Sequence, residues 1–186
     1  MSGSDACPAG YRGDAVGFEE LLAARGWRAA RQAALINRHK VPVLSLTIVM
    51  PGPVKDNEWA RRAMREASVS FDRLCERSKW PVLSCEHRWL GSGPEALYAV
   101  GAEATALKAS TVELEDHDAI GRLWDFDVID VGLSALSREA LGFRPRRCLV
   151  CDRPARECGR SRRHSLDLLL LAIRTVMDGH HATAHC

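Results

Sequence analysis

The stretch Gly121-Arg122-Leu123-Trp124-Asp125-Phe126-Asp127-Val128-Ile129-Asp130-Val131 limits the fold more than any other, because it sets carboxylates into a run that otherwise reads as a buried β-strand. Side chains alternate across a strand, so Asp125, Asp127 and Ile129 share one face while Trp124, Phe126 and Val128 share the other. Such a strand belongs in a sheet with one face against a core and one face that carries charge. At a rise of about 3.3 Å per residue, Asp125 and Asp127 lie about 7 Å apart. Two unpaired carboxylates that close repel each other. A divalent cation between them removes the repulsion, and Mg²⁺ takes hard oxygen donors together with phosphate oxygens of a substrate. Without a cation the same Asp-x-Asp is a solvated strand end, and the residues alone leave both readings open.

The rest of the chain supplies the elements for that sheet. Residues 1–15 read as a flexible lead-in. From about Gly17 to Arg38 a helical stripe runs through Phe18, Leu21, Leu22, Ala29, Ala33 and Ile36, with Arg25 and Gln32 inside it. Polar groups on such a face either pair with neighbours or reach into a cleft and hold a ligand. Val43 to Met50, bounded by Pro42 and Pro51, reads as a central strand. It runs into Pro51-Gly52-Pro53-Val54-Lys55 and then a helix capped by Asp56 or Asn57, with Ala60, Ala63, Met64, Ala67, Phe71 and Leu74 inward. A lysine on a rigid loop at a helix start suits a phosphate. Val82–Leu90 and Ala96–Val100 flank Gly91-Ser92-Gly93-Pro94 as a hairpin, with Glu86 and His87 on opposite faces. A helix from Glu103 to about His117 leads to the acidic strand, where Gly121 permits a tight backbone approach. This order predicts an α+β fold, a mixed sheet flanked by helices, with 16–178 as a single domain and 179–186 as a tail.

After Gly142 the chain changes character. Arg144, Arg146, Arg147, Arg153, Arg156, Arg160, Arg162 and Arg163 are opposed only by Asp152 and Glu157, which predicts a local positive field. A net charge of +2 speaks against a binder of nucleic acid polymers. In the same segment, 144–165, Cys148-x2-Cys151-x6-Cys158-x5-His164 offers a zinc pattern, or else packed thiols beside an anion site. Leu166, Leu169, Leu170, Ile173 and Met177 then face inward on a last helix. The polar start, the absence of a long apolar run and seven cysteines in an odd count predict a cytoplasmic protein with reduced thiols and no membrane span.

Several of these stretches, in this order, resemble one family. They are Met50-Pro51-Gly52-Pro53-Val54-Lys55, Gly93-Pro94-Glu95-Ala96-Leu97-Tyr98, Leu114-Glu115-Asp116, Gly121 to Val128, Arg146 to Cys151, and Cys158 to Ser165. Together they resemble the apo-citrate lyase phosphoribosyl-dephospho-CoA transferases, or holo-citrate lyase synthases (the CitX family), from about Gly17 to Ile173. The resemblance implies a nucleotidyltransferase-like fold and reaction. The phosphoribosyl-dephospho-CoA part of a triphosphoribosyl-dephospho-CoA passes to a serine of the citrate lyase acyl carrier subunit, and diphosphate leaves. One departure from nucleotidyltransferases at large is that Gly121-Arg122 stands immediately before the acidic pair, where many carry Gly-Ser further upstream.

On that reading Asp125 and Asp127 hold Mg²⁺. Lys55, Arg25, Arg122 and Gly121 meet phosphates, and Gln32 orients the substrate. Glu86, Asp130 or a phosphate oxygen takes the serine proton. Arg146, Arg147, Arg160, Arg162 and Arg163 dock the acidic carrier or clamp the dephospho-CoA phosphates. Cys148, Cys151, Cys158 and His164 are the zinc candidates. Two rivals stand beside this expectation: the same transfer onto the malonate decarboxylase carrier, and a zinc-ribbon-like binding module without chemistry, for which Asp125 is dispensable.

Overall fold

A computed structural model describes residues 8–183, with five helices around one four-stranded sheet. The elements run α1 (Phe18–His39), β1 (Val43–Ile48), α2 (Glu58–Ser78), β2 (Val82–Leu90), β3 (Gly93–Val100), α3 (Ala104–His117), β4 (Trp124–Ile129), α4 (Ala155–Arg160) and α5 (Leu166–Thr183). The sheet order is β2-β3-β1-β4. The expected mixed sheet is corrected: each neighbouring pair is antiparallel. The helical connections α2 and α3 do join strands that run the same way, β1 to β2 and β3 to β4, but each crossing skips a strand that pairs antiparallel with both, and a strand's composition does not disclose that intervening partner. β1 is central, as its β-branched sequence predicts.

One sheet face carries the main core. Leu44, Leu46, Ala96, Tyr98, Trp124, Phe126 and Val128 pack there against α2, α5 and Leu107 of α3. α2 starts where the sequence predicts, since the Asn57 side chain accepts from the Ala60 amide at 2.9 Å. The opposite face meets α1, whose buried apolar contact is confined to its last turns, where Leu35 and Ile36 join Val43, Leu97, Ala99 and Ile129. Phe18 and Leu22 were expected in the α1 core stripe and are instead 73% and 48% exposed. Periodicity identifies a helix face but not which turns a neighbour covers. The first turns of α1 overhang the sheet, and that overhang leaves room for a cleft beneath.

β4 is an edge strand whose outward backbone is tied off by side chains. The Phe126 amide donates to Glu115 at 2.8 Å, and its carbonyl accepts from Lys108, both on α3. The Trp124 carbonyl accepts from Arg146. These bonds close an edge that would otherwise offer free pairing groups.

The lead-in is not free within the described residues. Tyr11 is buried beside Trp59, its hydroxyl donates to the Pro51 carbonyl at 2.8 Å, and the Val54 amide donates to that hydroxyl at 3.3 Å. Gly52 sits below it at φ +74, where a Cβ would lie 2.3 Å from the Tyr11 hydroxyl, so the turn admits no side chain. A lone aromatic in a polar stretch has no periodicity to betray it. At the other end, α5 continues to Thr183, into the expected tail, while 1–7 and 184–186 lie outside the described residues.

Candidate active site

The sheet face beneath α1 carries two polar rows. Strand pairing aligns Arg88, Glu95, Thr47 and Asp125 in one row, and Glu86, Leu97, Ser45 and Asp127 in the next. Asp125 and Asp127 therefore share a face, as the alternation of β4 requires. α1 is pinned over the far half of these rows. Arg28 donates to the buried Glu95 at 2.8 Å, Arg31 to Glu86 at 2.8 Å, and the Arg88 guanidinium stacks 3.5 Å from the Trp27 ring. Arg25, Arg28 and Gln32 follow one another at about one-turn intervals on this side of α1.

Between α1, the end of β1 and the Pro/Gly loop lies a small cleft of about 140 Å³, whose walls include Arg25, Arg28, Thr47, Met50 and Lys55. Lys55 donates to the Met50 carbonyl. Burial first, and the Arg25 guanidinium second, hold its pKa below the ordinary lysine value. Among the described residues no carboxylate pairs with either Arg25 or Lys55. Two cations held together without a counter-charge are the electrostatic complement of a multiply charged anion.

Thr47 links this cleft to the acidic pair, its hydroxyl standing 3.5 Å from Asp125. Asp125 is half exposed, and its closest cation is Arg146 at 3.7 Å. Asp127 is exposed as a residue, yet the protein around it strips part of its hydration. That loss first, and the charge of Asp125 second, push its pKa above the usual carboxylate value, against the pull of Lys108 and Arg146. A pair of oxygen-only ligands in which one member resists ionisation fits a hard divalent cation.

Arg146 is a hub. It bridges buried Glu115 at 2.9 Å, the Trp124 carbonyl and Asp125, and its Nη1 is buried with no hydrogen-bond partner. It also lines a larger cavity of about 780 Å³, together with Met50, Pro51, Gly52, Arg122, Arg147 and Arg162. Met50 belongs to both cavities, and Asp125 stands between Thr47 of one and Arg146 of the other.

The sequence candidates thus fall into groups. Arg25 and Lys55 meet in the small cleft. Arg122, whose guanidinium donates to the Cys148 carbonyl, joins Arg146, Arg147 and Arg162 in the large one. Arg160 and Arg163 are exposed outside both. Gln32 is half-buried one turn beyond Arg28. Gly121 makes its close approach to α3, where a Cβ would lie 2.5 Å from the Leu114 carbonyl oxygen, so packing explains that glycine. Neither side chain offered as a base is at hand. Glu86 is held by Arg31, which keeps its pKa below the usual value, and three strand spacings of about 4.8 Å separate it from Asp127. Asp130 accepts from the Ser134 amide at 2.8 Å in a turn beyond β4. Glu115, Arg28, Thr47 and Tyr11 support the site and were missed. Only Glu115 left a signal, as an acid in a resembling motif.

Cys148, Cys151, Cys158 and His164 come together with ligand atoms all within 4.8 Å of one another, and Cys148, Cys158 and His164 also line the larger cavity. That group could bind a metal such as zinc. No described helix is long and apolar enough to cross a membrane.

Residues 16–180 match the family model CitX, "Apo-citrate lyase phosphoribosyl-dephospho-CoA transferase". A protein of that name from Escherichia coli is 38% identical over 164 residues, covering 88% of this chain and 90% of its own. One from Citrobacter koseri is 39% identical over 163 residues, covering 88% and 89%. The matched span takes in the acidic pair, both cavities and the cysteine cluster. The chain belongs to the apo-citrate lyase phosphoribosyl-dephospho-CoA transferase family.

Proposed function

We propose that this chain transfers the phosphoribosyl-dephospho-CoA group from its triphosphoribosyl precursor to a serine of the citrate lyase acyl carrier subunit. The serine oxygen forms an ester bond to the α-phosphorus of the triphosphate. The bond from that phosphorus to the bridging oxygen breaks, diphosphate leaves, and the hydroxyl proton is released. The observation that carries this reading is the pair of unneutralised cations, Arg25 and Lys55, one threonine away from an open carboxylate pair.

Asp125 and Asp127 would hold Mg²⁺, which supplies neutralisation of polyphosphate charge when bound. Arg25 and Lys55 receive the β- and γ-phosphates and so stabilise the charge that gathers on the leaving diphosphate. Arg146 turns its unpaired Nη1 to a phosphate oxygen and, anchored by Glu115, keeps that donor fixed. The larger cavity, with its mainly apolar wall and its arginines at the rim, takes the dephospho-CoA portion. Exposed Arg160 and Arg163 beside it face the acidic carrier. The setting is the cytoplasm, in keeping with Cys75, Cys85, Cys148, Cys151 and Cys158 forming no disulfide.

Incubation with Mg²⁺, the triphosphoribosyl substrate and apo-carrier tests the assignment by mass spectrometry of the carrier. The carrier should gain the mass of the prosthetic group, and Asp125→Asn or Asp127→Asn should abolish the gain while leaving the fold intact. An unchanged carrier mass with active substrate overturns the reading. The malonate decarboxylase carrier, run in parallel, should be modified far more slowly.

A further inference from the structure

We propose that Cys148, Cys151, Cys158 and His164 hold one tetrahedral zinc ion that fixes segment 144–165 as a wall of the larger cavity. The donor spacing carries the argument. With Zn–S near 2.3 Å and Zn–N near 2.0 Å, a tetrahedron requires sulfurs about 3.8 Å apart and a sulfur-to-nitrogen separation of about 3.5 Å. Cys151 Sγ lies 3.6 Å from Cys158 Sγ and 3.3 Å from His164 Nε2. Three thiolates and an imidazole, all from the protein, leave no open position, which is the donor set of a structural zinc rather than a catalytic one. It is the one such cluster among the described residues.

The surrounding backbone is shaped to the same end. The Val150 amide is directed at Cys148 Sγ at 3.5 Å, the kind of bond that orients a thiolate ligand from outside. Arg162 adopts φ +46, a left-handed conformation that a long side chain rarely takes, and the Arg163 amide donates to the Cys158 carbonyl at 3.1 Å. That bend returns His164 to Cys151. The segment has little regular structure, one six-residue helix and an isolated bridge between Arg147 and Pro154, and its ties to the sheet through Arg146 and the Arg122–Cys148 bond hold only its start. Cys148 and Cys158 are nevertheless 4% and 5% exposed, buried beneath a segment with almost no core of its own. The ion supplies the missing cross-link, tying Arg146 and Arg147 at the start of the segment to Arg162 at its end. The site does not depend on the polyphosphate reading, because its test needs no substrate.

The full chain, purified without chelator, should contain one zinc per molecule. Cys151→Ser should lose it, whereas Cys85→Ser, an exposed thiol on β2, should keep it. Zinc held by the His-rich C-terminal end would remain in Cys151→Ser, so equal zinc in that variant and the wild type overturns the proposal. Should Cys151→Ser fail to fold, the wild type decides. After removal of metal, trypsin should cut within 144–163 far faster than in the loaded protein, and added zinc alone should restore resistance. Absence of stoichiometric zinc, equal cleavage of stripped and loaded protein, or a Cys151–Cys158 disulfide in the isolated chain each overturns it.

Discussion

Replacing Glu115 by glutamine should unfasten Arg146 from the sheet. Glu115 is 4% exposed and serves three donors: Arg138 at 2.9 Å, Arg146 at 2.9 Å and the Phe126 amide at 2.8 Å. Glutamine keeps an acceptor for the amide but removes the charge that two guanidinium groups share. Breaking a buried ion pair by removing one partner costs about 3–5 kcal/mol. Arg138 and Arg146 are 12% and 25% exposed, so water compensates in part and the lower end, about 3 kcal/mol, applies. Glu115→Ala also strips the edge amide of its acceptor, which adds about 1–3 kcal/mol. At about 2–4 °C per kcal/mol for a chain of this size, Glu115→Gln should lower the melting temperature by about 6–12 °C, and Glu115→Ala by more. Thermal unfolding followed by circular dichroism gives both values. Transfer to the carrier by folded Glu115→Gln, assayed well below its melting temperature, should also fall, since Arg146 is no longer held at Asp125. A shift under about 3 °C for the glutamine variant, or alanine no worse than glutamine, would refute the buried-hub account.

Asp127 resists ionisation in the fold, so its charged form costs stability at every pH above the ordinary aspartate value. Asp127→Asn should therefore raise the melting temperature at neutral pH and leave it unchanged in acid, and equal shifts at both would contradict the reasoning. An NMR titration should find the Asp127 pKa lower in Asp125→Asn than in the wild type. Lys55→Gln should raise KM for the triphosphoribosyl substrate by roughly tenfold to a hundredfold, the worth of one charge-assisted bond. In the proposed phosphate role Lys55 would act only while protonated and its pKa is depressed, so affinity should fall with rising pH earlier than an ordinary lysine allows. Lys55→Arg should remove that alkaline fall, and a flat pH profile in the wild type would count against it. Tyr11→Phe forfeits bonds to Pro51 and Val54 and should cost about 1–2 kcal/mol by denaturant unfolding, with no loss if the lead-in is idle.

Much of the fold is legible in local pattern. β1 shows in its β-branched run, α2 in its cap and stripe, the hairpin in its glycines, and β4 in the alternation that sets Asp125 beside Asp127. Strand order and direction are not legible, because they depend on how connections pack and not on any strand's own residues. The overhang of α1 is hidden for the same reason: Phe18 and Leu22 keep helical spacing whether or not a sheet lies below them. At the site, the cysteines and the acidic pair announce themselves by spacing. Arg28 does not, since it looks like an ordinary charged residue until the fold sets it against Glu95 from another element, and Glu95 and Glu115 show only as acids within resembling motifs. Glu86 looked like a candidate base only because its partner Arg31 lies fifty-five positions away.

The bond from Arg146 to the Trp124 carbonyl means that β4 is hemmed by a side chain from the most irregular part of the molecule. A regular strand at that margin would shield the acidic row from events elsewhere. A single guanidinium does the opposite, acting as a tie-rod through which any shift of the cysteine knuckle pulls on the strand bearing Asp125. Zinc in the proposed site would thereby bear, through Arg146, on the placement of Asp125.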